Sequence, residues 1–171
     1  MTVINKIRGL LLAAWLGVAI YFSAVVAPSA FGVLRSFELA NASEIAGTIV
    51  GRALSAVNKS GLLVSLLLLA TAPAVKKYYG RASFILQNLL LIIVAISTAV
   101  EEWLIVARMR SLRVAMNGQI DHVSPTDPNH MAFTVLHLYS VVVVSVAMIA
   151  ALIVILLMVV ARERAITTPT Q

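Results

Sequence analysis

Asp127–Ala161, DPNHMAFTVLHLYSVVVVSVAMIAALIVILLMVVA, is the stretch whose reading decides the fold. Asp127 is a helix-capping residue and Pro128 suits the first helical position, where its missing N–H costs nothing. From Val141 to Ala161 only Ser145 interrupts a run of apolar side chains. The 34 residues from Pro128 to Ala161 would make a helix of about 51 Å, longer than the roughly 30 Å hydrocarbon layer of a bilayer. The segment therefore predicts a membrane-spanning helix, 141–161, with an extension over 128–140. His130 and His137 share one face of it, roughly 10.5 Å apart along the axis.

The whole chain agrees with this reading. Of its 171 residues 61% are hydrophobic and 12% charged, with a mean hydropathy of +0.99. A soluble domain has about 45–50% apolar and 25% charged residues. The excess has no interior large enough to hold it, so lipid must be its solvent. With no cysteine, disulfides, thiolate metal sites and thiol nucleophiles are excluded. The net charge of +6 is spread along loops and helix ends, where it sets topology; it does not form a nucleic-acid patch.

Three further spans precede the last one. Lys6 and Arg8 introduce an apolar run, giving a first span over 9–28. It exceeds the 7–15 apolar residues of a secretory signal peptide, and no cleavage is expected. Pro28, Gly32, Arg35, Glu38 and Asn41 mark residues 28–42 as a loop. Asn41 and Glu44 resemble a capping box that opens a helix, with an extension over 42–56 and a span over 57–75. The third span covers 82–101 and its helix overshoots through 102–116; Gly118, Asp121, Pro125 and Pro128 punctuate the loop that follows. The expected architecture is all-α, a single integral membrane four-helix bundle whose helices extend beyond the outer face. Gly17, together with Ala13 and Ala24, and the row Gly47, Gly51, Ser55 are candidate helix-packing positions, because small residues let backbones approach closely.

Basic residues orient the bundle. One side would hold Lys6, Arg8, Lys76, Lys77, Arg81, Arg162 and Arg164; the other holds Arg35, Arg52, Lys59, Arg108, Arg110 and Arg113 over a much longer length. Density and proximity to the spans place both termini in the cytoplasm. Counting about 20 residues inward from Arg8, Lys76, Arg81 and Arg162 then puts Pro28, Val57, Glu101 and Val142 at one level. Asn58, Lys59, Glu101, Glu102, His137 and Tyr139 should gather there, with one carboxylate of the Glu101/Glu102 pair facing the fourth helix and His137 as a packing and hydrogen-bond anchor to Glu101 or Glu102. Trp103 and Tyr139 suit an interfacial aromatic belt.

The phrases SAVVAPSAFGVLRSFELANASEIAGTIVGRAL and MAFTVLHLYSVVVV resemble the transmembrane protein 205-like family, in bacteria the domain of unknown function 4149. Pro28, Phe31, Gly47, His137 and Ser140 match its pattern. A proline expected near Val106 and Ala107 is missing, and an Asn expected beyond Ser140 is replaced by Val144 or Ser145. The resemblance implies a four-helix membrane protein without an agreed activity.

Three functions are consistent with these residues. The first is a non-enzymatic module of a bacterial inner (plasma) membrane, self-associating as a homo-oligomer or serving as a small accessory subunit of a respiratory or photosynthetic complex. Its support is the small-residue rows and the absence of GxSxG, HExxH, P-loop and dinucleotide fingerprints. The second is a copper, haem or chlorophyll site built from His130, His137, Glu101 and Glu102, with His122, Met109, Met116 and Met131 nearby in sequence and His137 as an axial ligand. The third is a transporter or enzyme acting on a lipid or small molecule. No catalytic residue is assigned, and on the first reading no cofactor is needed.

Overall fold

The computed structural model describes residues 3–39, 41–117 and 122–167, with side chains through Val160. Gly118, Asp121 and the side chains of Arg162 and Arg164 lie outside the described residues. Four long helices account for most of the chain: α1 (Val3–Ser36), α2 (Ala42–Ala70), α3 (Arg81–Ala115) and α4 (Pro128–Thr167). Each is long and apolar enough to cross a membrane, and no strand occurs among the described residues. α1 and α3 each pack against α2 and α4, so the helices form an antiparallel four-helix bundle. Two short helical turns, Ala72–Val75 and Lys76–Tyr78, join α2 to α3.

The start of α4 follows its capping logic. Asp127 Oδ1 accepts the backbone N–H of Asn129 at 2.7 Å and of His130 at 3.3 Å. Asn41 occupies the equivalent position before α2, but its side chain makes no cap bond, so the expected capping box is not formed.

The loop expected over 28–42 is much shorter than its composition suggests. α1 continues through Pro28 to Ser36 and α2 starts at Ala42, with Glu38 between them at a φ of 51°. A π-helical turn over Phe22–Val26 makes this possible, its widened spacing seen in the Ala27 N–H donated to Phe22 O. In a regular α-helix the proline ring would strike the carbonyl four residues back, and the extra residue per turn moves that carbonyl aside.

Burial within lipid follows size more than polarity. On α4 the buried face is Ala147, Ala150, Ala151, Val154 and Met158, whereas Ile149, Leu152, Leu156 and Val159 point outward. Lipid tails are as apolar as a protein core, so close approach of small side chains selects the inward face. The same principle fixes α1 on α2. Trp15 Nε1 donates to the Val57 carbonyl at 3.0 Å, and its ring covers Gly61 so closely that a Cβ there would lie 2.6 Å from Nε1.

This contact resets the depth of α1. Val57 and Glu101 do share a level with Val143, beside the expected Val142, but Trp15 joins them in place of Pro28. Pro28 stands about 20 Å further along α1. The count fails because Arg8 does not stand a full span below this level: only 4% exposed, it is drawn onto α2 and donates from Nη1 to the Leu68 carbonyl and to Thr71 Oγ1 at 2.6 Å. A cation at the last carbonyls of a helix satisfies acceptors that have no partner within it.

Gly61→Ala should therefore destabilise the bundle by about 1–3 kcal/mol through the forced overlap with Trp15. Gly17→Ala, where a Cβ meets open space, should leave stability unchanged or raise it by up to about 1 kcal/mol through helix propensity. Thermal unfolding of the two variants in one detergent compares them.

Candidate functional site

Where α3 leaves its apolar stretch, a second π-helical turn, Glu101–Val106, presents two acidic residues to two different neighbours. Glu101 is fully buried, at 0% exposure, and accepts the Ser140 hydroxyl of α4 at 2.5 Å on Oε1. Glu102 turns toward α2, where Oε1 accepts from Ser55 Oγ at 2.7 Å and pairs with Lys59 Nζ at 3.2 Å. Lys59 is 63% exposed, so its stem crosses the bundle surface while its ammonium reaches back to the carboxylate. Adjacent helical positions differ by about 100°, which is why one carboxylate cannot serve both partners.

Beside this pair lies a cavity of about 10 Å³ lined by Trp15, Asn58, Thr98, Glu101 and Val144, among others. Asn58 is 2% exposed. Its Nδ2 and Glu101 Oε2 are buried without a hydrogen-bond partner among the described residues, as is Glu102 Oε2. Thr98 Oγ1 donates back to the Val94 carbonyl at 2.9 Å, which leaves an acceptor lone pair on the hydroxyl.

Two further polar contacts flank this level. Toward the loops, Arg113 of α3 lies over Gly47 of α2 and stacks on Phe133 of α4, 5.3 Å from the ring centroid, with Glu44 acting on its charge. A Cβ at Gly47 would overlap the guanidinium, so a side chain here would require the end of Arg113 to move. Toward the termini, Tyr79 donates its hydroxyl to Asn5 Oδ1 at 2.8 Å. Burial pushes the Tyr79 phenol above its ordinary pKa, partly offset by that hydrogen bond and by the charge of Arg8.

The expected packing row on α2 is thus used at two of its three positions, Gly47 beneath Arg113 and Ser55 on Glu102. Gly51 faces open space, and so does Gly17 on α1. Glu101 meets the expectation that one carboxylate faces the fourth helix, but its partner is Ser140. His137 lies three residues earlier, about 60° away around the helix axis, and is exposed. The structure corrects its expected role as a hydrogen-bond anchor. Nor does it gather the proposed metal set: among the described residues no three His, Asp or Glu side chains come together in a way that could hold a metal ion. His130 is half-buried at the start of α4, Met116 is buried and Met131 exposed. Trp103 and Tyr139 point outward, as aromatic anchors would.

Asn58, Trp15 and Arg8 went unassigned by sequence reasoning as a site. Asn58 could have been found, since an amide flanked by apolar helix is costly unless it faces the bundle. Removing the donor that Ser140 supplies to Glu101 with Ser140→Ala should cost about 1–3 kcal/mol, because a buried acceptor is left unmade. Ser55→Ala should cost less, since Glu102 keeps Lys59, and His137→Ala should stay within about 0.5 kcal/mol. Thermal unfolding of the three variants orders them.

A family model described as a domain of unknown function (DUF4149) matches residues 10–118. No curated protein and no solved structure matches the chain. The match spans α1, α2 and α3 and includes Trp15, Asn58, Glu101 and Glu102. The chain belongs to the DUF4149 family, and its four apolar helices make it a membrane protein in contact with the lipid bilayer.

Proposed function

We propose that this protein is a non-enzymatic membrane module that associates through α1, as a homo-oligomer or as a small accessory subunit of a larger membrane complex. The observation that supports this reading is the outward row Ala13, Gly17 and Ala24. All three are exposed, and a Cβ at Gly17 would meet nothing within 4 Å. Ala13 and Gly17 are one turn apart, the spacing at which small residues let a second helix approach closely in lipid. The corresponding row on α2 is already engaged at Gly47 and Ser55.

The cavity beside Glu101 matches one water molecule and falls far short of a small organic substrate, which weighs against a transport or enzymatic role at that position. A copper site at His137 would need donors from a second chain, since among the described residues no three His, Asp or Glu side chains could hold a metal ion together.

Light scattering in mild detergent should give the mass of a dimer or larger assembly, and Ala13→Leu with Gly17→Leu should return a monomer with unchanged helical content. A monomer at every accessible concentration would remove the self-association reading. The density of basic residues supports an orientation with both termini cytoplasmic, in what we take to be a bacterial inner membrane. A green fluorescent protein fused after Gln171 should accordingly fluoresce in cells, and a dark fusion that is nonetheless inserted would reverse the orientation.

A further inference from the structure

We infer that the end of the bundle where α1 begins, α2 ends and α3 begins binds the phosphate of an acidic phospholipid headgroup. Two hydrogen bonds bring these segments together: Tyr79, just before α3, donates to Asn5 Oδ1 at 2.8 Å, and Arg8 Nη1 donates to Thr71 Oγ1 at 2.6 Å. They gather five cations: Lys6 and Arg8 on α1, Lys76 and Lys77 in the turn after α2, and Arg81 at the start of α3. Among the described residues no acidic side chain stands at this end. Glu38 and Glu44 lie at the far ends of α1 and α2, and the first acids along α3, Glu101 and Glu102, come about 30 Å beyond Arg81. The site is built without the end of α4, where the side chains of Arg162, Glu163 and Arg164 lie outside the described residues.

Arg8 distinguishes this end from a ring of solvated charges. It is 4% exposed, both acceptors it uses are neutral, and its Nε is buried with no hydrogen-bond partner. The titratable neighbour that acts on its charge is Tyr79, a phenol that is neutral at pH 7. A cation so enclosed is costly without a counter-charge, and an anion held by the exposed cations around it supplies one. The start of α3 adds donors. Gly80 provides no side-chain cap, so the first N–H groups of a helix that runs to Ala115 have no partner within it, and such a terminus attracts phosphate. The surroundings select a lipid over a soluble anion. Lys6 and Arg81 are exposed, and one turn further along the same helix faces stand Leu10, 70% exposed, and Ile85, 56% exposed. A headgroup bound to the cations therefore leaves its acyl chains on apolar surface, the arrangement by which basic clusters between membrane helices recognise acidic lipids. Tyr78, with Lys77 Nζ 5.2 Å from its ring centroid, is an interfacial aromatic at the same end.

The full chain is purified in mild detergent for the test. Its melting temperature, and the lipid it retains under native mass spectrometry, are recorded in micelles doped with phosphatidylglycerol or, at the same mole fraction, phosphatidylcholine. The melting temperature is recorded separately against sodium phosphate, with sodium chloride holding ionic strength. One phosphatidylglycerol per chain should be retained about tenfold more strongly than phosphatidylcholine, with a rise in melting temperature of about 4 °C. Lys76→Gln, Lys77→Gln and Arg81→Gln together should abolish that preference. Removing three charges from the exposed side chains at the other end, with Arg52→Gln, Arg108→Gln and Arg110→Gln, should leave it intact. A response to phosphatidylglycerol that sodium phosphate does not reproduce identifies the lipid; an equal response to sodium phosphate alone identifies the free anion. No response to either probe, an undiminished preference in the first variant, or an equal loss in both variants overturns the inference. Should the first variant fail to fold, Arg81→Gln alone takes its place: a fall in retention of about threefold or more supports the site, and no fall overturns it.

Discussion

A carboxyl group enclosed by apolar helices has to find its partners within the chain, and Glu101 imposes that requirement on this bundle. Bulk water does not reach its side chain, and lipid offers no hydrogen bond. Its position on α3 therefore determines which face of α4 turns inward, through Ser140, and what lies opposite on α2 and α1, through Asn58 and Trp15. The neighbouring Glu102 does the same for α2 through Ser55 and Lys59. Two adjacent acidic residues, separated around the helix axis at the start of a π-helical turn, thus register α3 against both of its neighbours.

The polar contacts are distributed along the bundle. Arg8 and Tyr79 tie α1 to the C-terminal end of α2 and to the turn that follows it, the Glu101 level holds the middle, and Arg113 bridges α2 and α4 near the loops. Between them, packing depends on where bulk is absent. Gly61 receives the Trp15 ring, Gly47 receives the Arg113 guanidinium, and the alanines of α4 admit the core. In lipid, where apolar surface gains little by moving inward, such steric fits and hydrogen bonds carry the specificity that hydrophobic burial supplies in water.

Much of this was legible in the sequence for a physical reason. Apolar content and length alone identify a membrane helix, so four spans and the all-α bundle follow from composition and from the runs beginning at Gly9, Gly61, Phe84 and Val141. Rotation and axial stagger are different. Core and lipid are equally apolar, so hydropathy could not say that Ser140 faces inward and His137 outward, nor that Trp15 is level with Glu101. Arg8 misled because a basic residue before an apolar run reads as a surface charge, while the free carbonyls at the end of α2 make an interior place for it. Pro28 misled in the same manner, since the π-helical turn that accommodates it leaves no signature in composition. The candidate site was legible as far as Glu101, Glu102 and their depth on α2, α3 and α4; Asn58 was placed there without a role.

The exchange of Ser140 for His137 as the partner of Glu101 is the point on which the rest turns, and the absence of native cysteine makes it directly measurable. Paired cysteines introduced at Glu101 and Ser140 should cross-link under mild oxidation in membranes, whereas a pair at Glu101 and His137 should not. Cross-linking of the second pair and not the first would mean that α4 is rotated, and the account of a buried Glu101 site built on Ser140 would be wrong.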